Sequence, residues 1–174
     1  MLDLARLRAD TPGAHDVVHF NNAGASLMPR IVIDTVLEHV HQEAHLGGYE
    51  AASAAAERLE RVYVSVARLL NAQPDEIAVI ENATRAWDMA FYSLPLSEGV
   101  WFLLDACQGA GHAPLDVKKI GCHMLAATSR KYLRGPRGMG FLYIERALCA
   151  TWYTPRSMPT TRTKTSTRSC KRCR

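Results

Sequence analysis

Lys131 is the residue of this 174-residue chain with the clearest capacity for covalent chemistry. It ends the run Thr128-Ser129-Arg130-Lys131, and a glycine-rich stretch, Gly135-Pro136-Arg137-Gly138-Met139-Gly140, follows. A lysine that forms a Schiff base needs a loop that holds its amine at a carbonyl carbon, an anion site beside it and an acid opposite. Asp105, which ends an apolar run, is the candidate acid.

The candidate anion site is Asn82-Ala83-Thr84, which lies between a predicted strand and a predicted helix. The first backbone N–H groups of a helix have no partner within the helix, so they can hold a phosphate. Each feature also has an ordinary structural interpretation. Asn-Ala-Thr is a common helix cap, an aspartate after a strand often caps a turn, and a lysine in a glycine-rich loop is usually solvated. The joint occurrence of all three favours a site.

The stretch from Cys122 to Leu142 resembles the attachment-site signature of class V aminotransferases. This pyridoxal-phosphate family includes cysteine desulfurases, selenocysteine lyases and isopenicillin N epimerase. Phe20 to Ser26 is similar to the substrate-side loop of the family, and Asp105-Ala106-Cys107-Gln108 is similar to its cofactor-nitrogen motif. The resemblance covers residues 1–150 and implies an α/β fold. We expect a partial fold-type I large domain, with a mostly parallel sheet flanked by helices.

The resemblance implies pyridoxal 5'-phosphate as the cofactor and no metal. It assigns cofactor contacts to these residues: Asn82, Ala83, Thr84, Asp105, Gln108, Thr128, Arg130 and Lys131. Asp105 and Gln108 are expected to contact the ring, and Lys131 is expected to form the Schiff base and carry the substrate proton. Substrate-side positions follow in the same way: Asn22, Ala23 and Gly24.

Apolar periodicity predicts a short N-terminal helix and two longer amphipathic helices. One begins near Pro29 and stops at Gly47, and the other runs from Glu50 to Leu70, with Leu59 in its buried stripe. Apolar runs of strand length are Ile77–Ile80, Val100–Leu104, Met124–Ala127 and Phe141–Ile144. A helix from Arg85 to Leu94 would join the first two strands, which favours a parallel βαβ unit.

The chain departs from the family pattern in two places. The interval between Asn82 and Asp105 is short, whereas the family has further strands and helices there, with a residue, often a histidine, that stacks on the pyridine ring. We therefore predict an internal deletion near Gly99, which would leave sheet edges uncovered. The family's C-terminal domain, which supplies a substrate-binding arginine and the desulfurase cysteine, has no matching segment. Cys107 is expected to be packed in the sheet rather than to replace that cysteine.

The net charge of +4 comes from the segment 151–174, which carries basic residues and no acid. Its many Ser, Thr, Lys and Arg residues predict a disordered tail. No apolar run approaches the roughly 20 residues that a membrane span needs, and the N-terminus does not resemble a signal peptide, so a cytoplasmic location is expected. The odd number of cysteines, 5, favours reduced thiols.

Three functions remain open from the sequence. The first is a pyridoxal-phosphate enzyme acting on an amino acid as a lyase, epimerase or transaminase, and as a homodimer like its relatives. The amino-acid sequence from Arg130 to Gly138 resembles the isopenicillin N epimerase and C-S lyase branch of the family more than it resembles the desulfurases. The second is a non-catalytic remnant of such an enzyme. The third is a polyanion binder acting through the tail. Residues 1–150 carry more acidic than basic residues, so nucleic-acid binding is the least favoured of the three functions.

Overall fold

The computed structural model describes residues 3–94 and 100–152. The helices are α1 Leu4–Ala9, α2 Arg30–Leu46, α3 Gly48–Ala54, α4 Ala56–Leu70, α5 Ala83–Ser93, α6 Val117–Ile120 and α7 Arg146–Trp152. The strands are β1 Ile77–Ile80, β2 Leu103–Asp105, β3 Met124–Thr128 and β4 Gly140–Ile144. Nearly all of the predicted tail lies outside the described residues. No helix within them is long and apolar enough to cross a membrane.

The strands form one sheet in the order β1-β4-β3-β2. Strands β2 and β3 pair in parallel, whereas β4 is antiparallel to both β3 and β1. Strands β1, β2 and β3 therefore run in the same direction, and the predicted α/β fold with a mostly parallel sheet is confirmed. The carboxyl ends of these three strands lie at one edge of the sheet, where open α/β sheets bind ligands.

Both faces of the central strands are buried, which explains why their sequences are continuously apolar. Leu125 and Tyr143 belong to the core on the face covered by α4 and α6. Met124 and Leu142 belong to the core on the opposite face, under α5. Small side chains on α5 let this helix approach the sheet closely, and it packs mainly on β3 and β4.

Two predicted elements differ from the structure. The helix predicted from Glu50 to Leu70 is broken at Ala55 into α3 and α4, and Leu59 of its predicted buried stripe is exposed. The strand predicted over Val100–Leu104 pairs only from Leu103, and Val100 is 93% exposed. Strand β2 is an edge of the described sheet, so residues before it have no second strand against which to pack.

Helix α2 begins and ends close to the predicted positions but contains no buried residue. Its apolar residues Val36, Leu37 and Val40 follow helical spacing and share one face, and all three are exposed. The amphipathic pattern was therefore read correctly as a helix, although the described part of this chain does not cover its apolar face.

Glu76 is a buried carboxylate that connects three separate segments, and it is 4% exposed. Its Oε2 accepts a hydrogen bond from the backbone N–H of Gln73 at 2.9 Å, and its Oε1 accepts one from the N–H of Arg146 at 3.1 Å. The Lys118 ammonium lies 3.6 Å from Oε1. The side chain thereby joins the start of β1 to α6 and α7.

We expect Glu76→Gln to lower the free energy of unfolding by about 1–3 kcal/mol, because an amide NH2 would face one of the two backbone N–H donors and leave it unpaired. Chemical denaturation checks this value. Glu57→Gln is the matched control, because its pair with Arg61 is solvent-exposed and should contribute less than about 1 kcal/mol. Equal stability losses in the two variants would contradict the role given to Glu76.

Candidate active site

A cleft of about 390 Å³ lies at the carboxyl-terminal edge of the sheet, beside the N-terminus of α5. Its lining comes from the turn after β1, the loop after β2 and the loop after β3. The lining residues are Asn82, Ala83, Thr84, Trp87, Asp105, Cys107, Thr128, Arg130 and Lys131. The cleft thus unites segments that are far apart in sequence.

The N-terminus of α5 provides the anion-binding end of the cleft. Asn82 is the N-cap, and its Oδ1 accepts a hydrogen bond from the N–H of Arg85 at 2.8 Å. The N–H groups of Ala83 and Thr84 have no acceptor among the described residues. The helix-cap interpretation of this motif is therefore confirmed, and the cap leaves two N–H donors without an acceptor, as the predicted anion site requires.

Gly140 allows β4 to pass directly beneath this anion-binding turn. A Cβ at this position would lie 2.8 Å from the Asn82 carbonyl carbon, 2.9 Å from the Ala83 nitrogen and 2.8 Å from the Ala127 oxygen. All three are backbone atoms, which cannot move aside as a flexible side chain could. The absence of a side chain at Gly140 therefore lets the backbone of β4 pass close to the turn at Asn82 and Ala83.

The loop that carries Lys131 is closed by its own backbone hydrogen bonds. Gly135 N–H donates to the Ser129 oxygen at 2.8 Å, and Arg134 N–H donates to the Lys131 oxygen at 2.9 Å. Gly111, with φ of +83°, lies against the next segment, where a Cβ would approach Leu133 N to 2.8 Å. Lys131 is partly buried, and its ammonium has no hydrogen bond or ion pair with a described residue. Its amine is therefore available to a ligand.

Arg130 and Thr128 line the cleft but already have protein partners. The Arg130 guanidinium donates to the Gly24 carbonyl oxygen, and the Arg130 carbonyl accepts from Ser26 N–H at 2.8 Å. The Thr128 hydroxyl donates to the Met139 oxygen at 3.3 Å, a long bond. A guanidinium has five donors, so Arg130 can bind a further anion without losing Gly24, whereas Thr128 must turn its hydroxyl to donate elsewhere.

Asp105 ends β2 and faces the cleft with its carboxylate partly engaged. Its Oδ1 accepts the N–H of Cys107 at 2.9 Å, and the carboxylate also accepts a hydrogen bond from the Cys107 thiol. Cys107 also lines the cleft, so the expectation that it packs in the sheet is wrong. Burial, followed by the hydrogen bond to Asp105 and its charge, raises the pKa of the Cys107 thiol to about 11, against a smaller opposite effect of Lys131.

Gln108 and the substrate-side residues lie outside the lining of this cleft. Gln108 is exposed, and its Nε2 donates to the Ala23 oxygen at 3.4 Å. Asn22 lines a second cavity, of about 250 Å³, together with Tyr132 and other residues. Gly24 contacts the site only through its bond to Arg130. The structure therefore brings seven of the eight predicted cofactor contacts together and places Gln108 beside the substrate-side loop.

Comparison with protein families decides the ancestry of this arrangement. The model of the family named Aminotransferase class-V matches residues 18–98 and 96–170. The chain belongs to the class V aminotransferases. The two matched segments meet at residues 96–98, close to the predicted internal deletion. This junction falls within residues 95–99, outside the described residues.

Relatives of this class V aminotransferase include enzymes of sulfur chemistry. A probable cysteine desulfurase of Pyrococcus abyssi is 21% identical, with 80% of this chain and 56% of that protein covered. The apo cysteine desulfurase of Thermococcus onnurineus has a TM-score of 0.71 at 21% identity, covering 87% of this chain and 59% of the other. A C-DES mutant with glycine covalently linked to the PLP cofactor has a TM-score of 0.70 at 16% identity, covering 83% and 60%.

These comparisons establish the fold and the family. The chain spans a little more than half the length of the Pyrococcus and Thermococcus proteins. Its alignment with the Pyrococcus protein extends over 225 positions, more than the whole chain contains, so that alignment crosses long gaps in this sequence.

Cys107 and Trp87 also line the cleft, although neither is among the eight predicted cofactor contacts. Cys107 was placed in the sheet because it follows an apolar strand, but the chain turns at Asp105 and the thiol faces the cleft. From the sequence, Trp87 in the first turn of its helix could face either the cofactor or the core. The spacing between Thr84 and Trp87 identifies Trp87 as a cleft residue. Trp87 follows Thr84 by about one helical turn, so the two residues lie on the same face of α5.

We expect the alkylation rate of Cys107 by iodoacetamide to rise with pH up to its pKa of about 11, because the thiolate is the reactive form. Asp105→Asn removes a charge that raises this pKa, so at pH 8 it should accelerate the modification several-fold. Mass spectrometry of the Cys107 peptide from the cofactor-free protein measures the rate. Asp34→Asn, on exposed α2, is the control and should change nothing. An unchanged or slower rate in Asp105→Asn would rule out this coupling.

Proposed function

We propose that the chain binds pyridoxal 5'-phosphate in the cleft and that Lys131 holds the cofactor covalently. The observation that carries the proposal is the convergence of a free amine, a carboxylate and a helix N-terminus on one cavity. Family membership supports the cofactor, as does the fold shared with the PLP-bound C-DES mutant. The residues present fit the phosphate, the ring nitrogen and the aldehyde of the cofactor, because the cleft offers backbone N–H donors, a carboxylate and an amine for these three groups.

The N–H groups of Ala83 and Thr84, with the Thr84 hydroxyl and Arg130, would hold the phosphate. The Asp105 carboxylate, which faces the cleft, would accept a hydrogen bond from the ring nitrogen and keep it protonated. When bound, the cofactor supplies an electron sink that weakens the bonds at the α-carbon of an amino acid. Lys131 would carry the proton between its Nζ and that carbon, which requires an amine that is free of ion pairs, as this one is.

The substrate class that we propose is an amino acid, with lyase, epimerase or transaminase chemistry. Support comes from the family and from the names of the relatives, which include cysteine desulfurases. The second candidate function is cofactor binding without turnover. It is favoured because the chain covers only 56% of the length of the Pyrococcus protein. Incubation of the cofactor-loaded chain with single L-amino acids, including cysteine and cystine, separates the two. Product formation that Lys131→Ala abolishes supports the enzyme, and its absence with every amino acid supports the second candidate.

Covalent attachment can be tested without any turnover. After incubation with pyridoxal phosphate and reduction with borohydride, we expect a pyridoxyl group on the Lys131 peptide, detected by mass spectrometry. Lys131→Ala should lose this label, whereas Lys119→Ala should keep it, because Lys119 is an exposed residue of α6. Labelling spread evenly over the surface lysines, or equal total labelling in Lys131→Ala, would refute the proposal.

We further propose that the chain acts as a cytoplasmic homodimer whose interface includes the apolar face of α2. Val36, Leu37 and Val40 form this face, and Leu37 is 53% exposed. An exposed apolar stripe of this kind is typical of an interaction surface rather than of a solvated helix. The proposal accounts for a helix of 17 residues with no buried side chain.

Leu37→Glu should shift the protein from dimer to monomer, because a charge in an apolar interface loses its solvation without gaining a partner. Size-exclusion chromatography with light scattering gives the mass, and we expect the dimer to weaken at least about a hundredfold. Gln42→Glu is the matched control, since it adds the same charge on the opposite side of α2 and should leave the dimer intact. A Leu37→Glu dimer of unchanged affinity would exclude this face.

A further inference from the structure

We propose that Trp87 stacks on the pyridine ring of the bound cofactor and serves as the ring-holding residue of this chain. The inference rests on the proposed cofactor binding and extends it to a residue that no family motif assigns. It concerns the part of the site that the short interval between Asn82 and Asp105 leaves without a stacking residue.

The position of Trp87 on α5 directs its side chain to the cleft. Successive helix residues are rotated by about 100°, so a residue three positions after Thr84 lies on the same face. Ala86 and Ala90 are fully buried against the sheet. Trp87 instead lines the cleft that also contains Asp105 and Lys131. The indole therefore belongs to the wall of the site and not to the core.

The indole of Trp87 is also without a partner. It is 36% exposed and makes no ring contact or hydrogen bond with a described residue. Trp101 differs, because its ring packs edge-on against His123 with centroids 5.3 Å apart. Phe91 and Tyr92 of α5 contact each other, with their ring centroids 5.5 Å apart. Among the side chains that line the cleft, Trp87 is the aromatic one and has a free face.

The chemistry of the two rings favours stacking. A pyridine ring whose nitrogen is kept protonated by Asp105 is electron-poor and carries positive charge, whereas indole has the most electron-rich face among the side chains. Cys107 adds a second weakly polar surface to the same cleft, because its thiol stays protonated at neutral pH. A flat, cationic ring thus has a complementary aromatic surface in this cleft.

The experiment compares cofactor affinity in three variants of the full chain. Pyridoxal phosphate is titrated while its visible absorption is followed, and the dissociation constant is compared with that of the wild type. Trp87→Phe keeps an aromatic face and should change the constant by less than about threefold, whereas Trp87→Leu keeps apolar bulk without that face and should weaken binding about tenfold. Trp101→Phe is the control and should bind as the wild type does.

A second measurement uses tryptophan emission. Cofactor binding should quench emission strongly in the wild type and in Trp101→Phe, and much less in Trp87→Phe. Equal affinity of Trp87→Leu and the wild type, or equal quenching in Trp87→Phe and Trp101→Phe, would overturn the stacking role while the borohydride label on Lys131 leaves cofactor binding intact. Failure of the wild type to acquire that label would overturn both. Thermal melting of the cofactor-free variants shows that each one folds.

Discussion

The site depends on the passage of one antiparallel strand between two parallel ones. Strands β1 and β3 carry the two halves of the cleft, the anion-binding turn and the lysine loop, but they do not pair with each other. Strand β4 lies between them, and Gly140 is in register with Ile80 on one side and Thr128 on the other. Gly140 therefore fixes the distance between the N–H groups at the start of α5 and the amine of Lys131. A Cβ at this position would meet backbone atoms on both sides.

The second constraint is the attachment of the N-terminal segment to the lysine loop. Arg134, which has a φ of +60°, donates through Nε to the Leu27 oxygen at 3.2 Å and through its guanidinium to Thr11. Arg130 similarly binds Gly24. Two arginines that flank Lys131 thus anchor the substrate-side segment by its carbonyl and hydroxyl groups, and the conformation of the lysine loop cannot change without moving that segment.

Much of the fold could be predicted from the sequence because local patterns determine it. Strand β1 begins and ends as predicted, since its apolar run is bounded by Pro74 and by the cap residue Asn82. The direction of β4 could not be predicted from the sequence, because a strand that is buried on both faces is apolar throughout, whether it runs parallel or antiparallel to its neighbours. The resemblance located most of the cleft lining. Gln108 lies outside that lining, because its side chain is oriented by a contact with Ala23, 85 residues away in sequence.

The family match divides close to the edge strand of the described sheet. The family match divides at residues 96–98, and the next ordered strand, β2, is unpaired on its outer side within the described residues. Phe102 still accepts hydrogen bonds from His123 and Met124 through its carbonyl, so pairing toward β3 continues where the opposite side has no strand. An exposed edge flanked by apolar residues such as Val100 is a site for association with other strands.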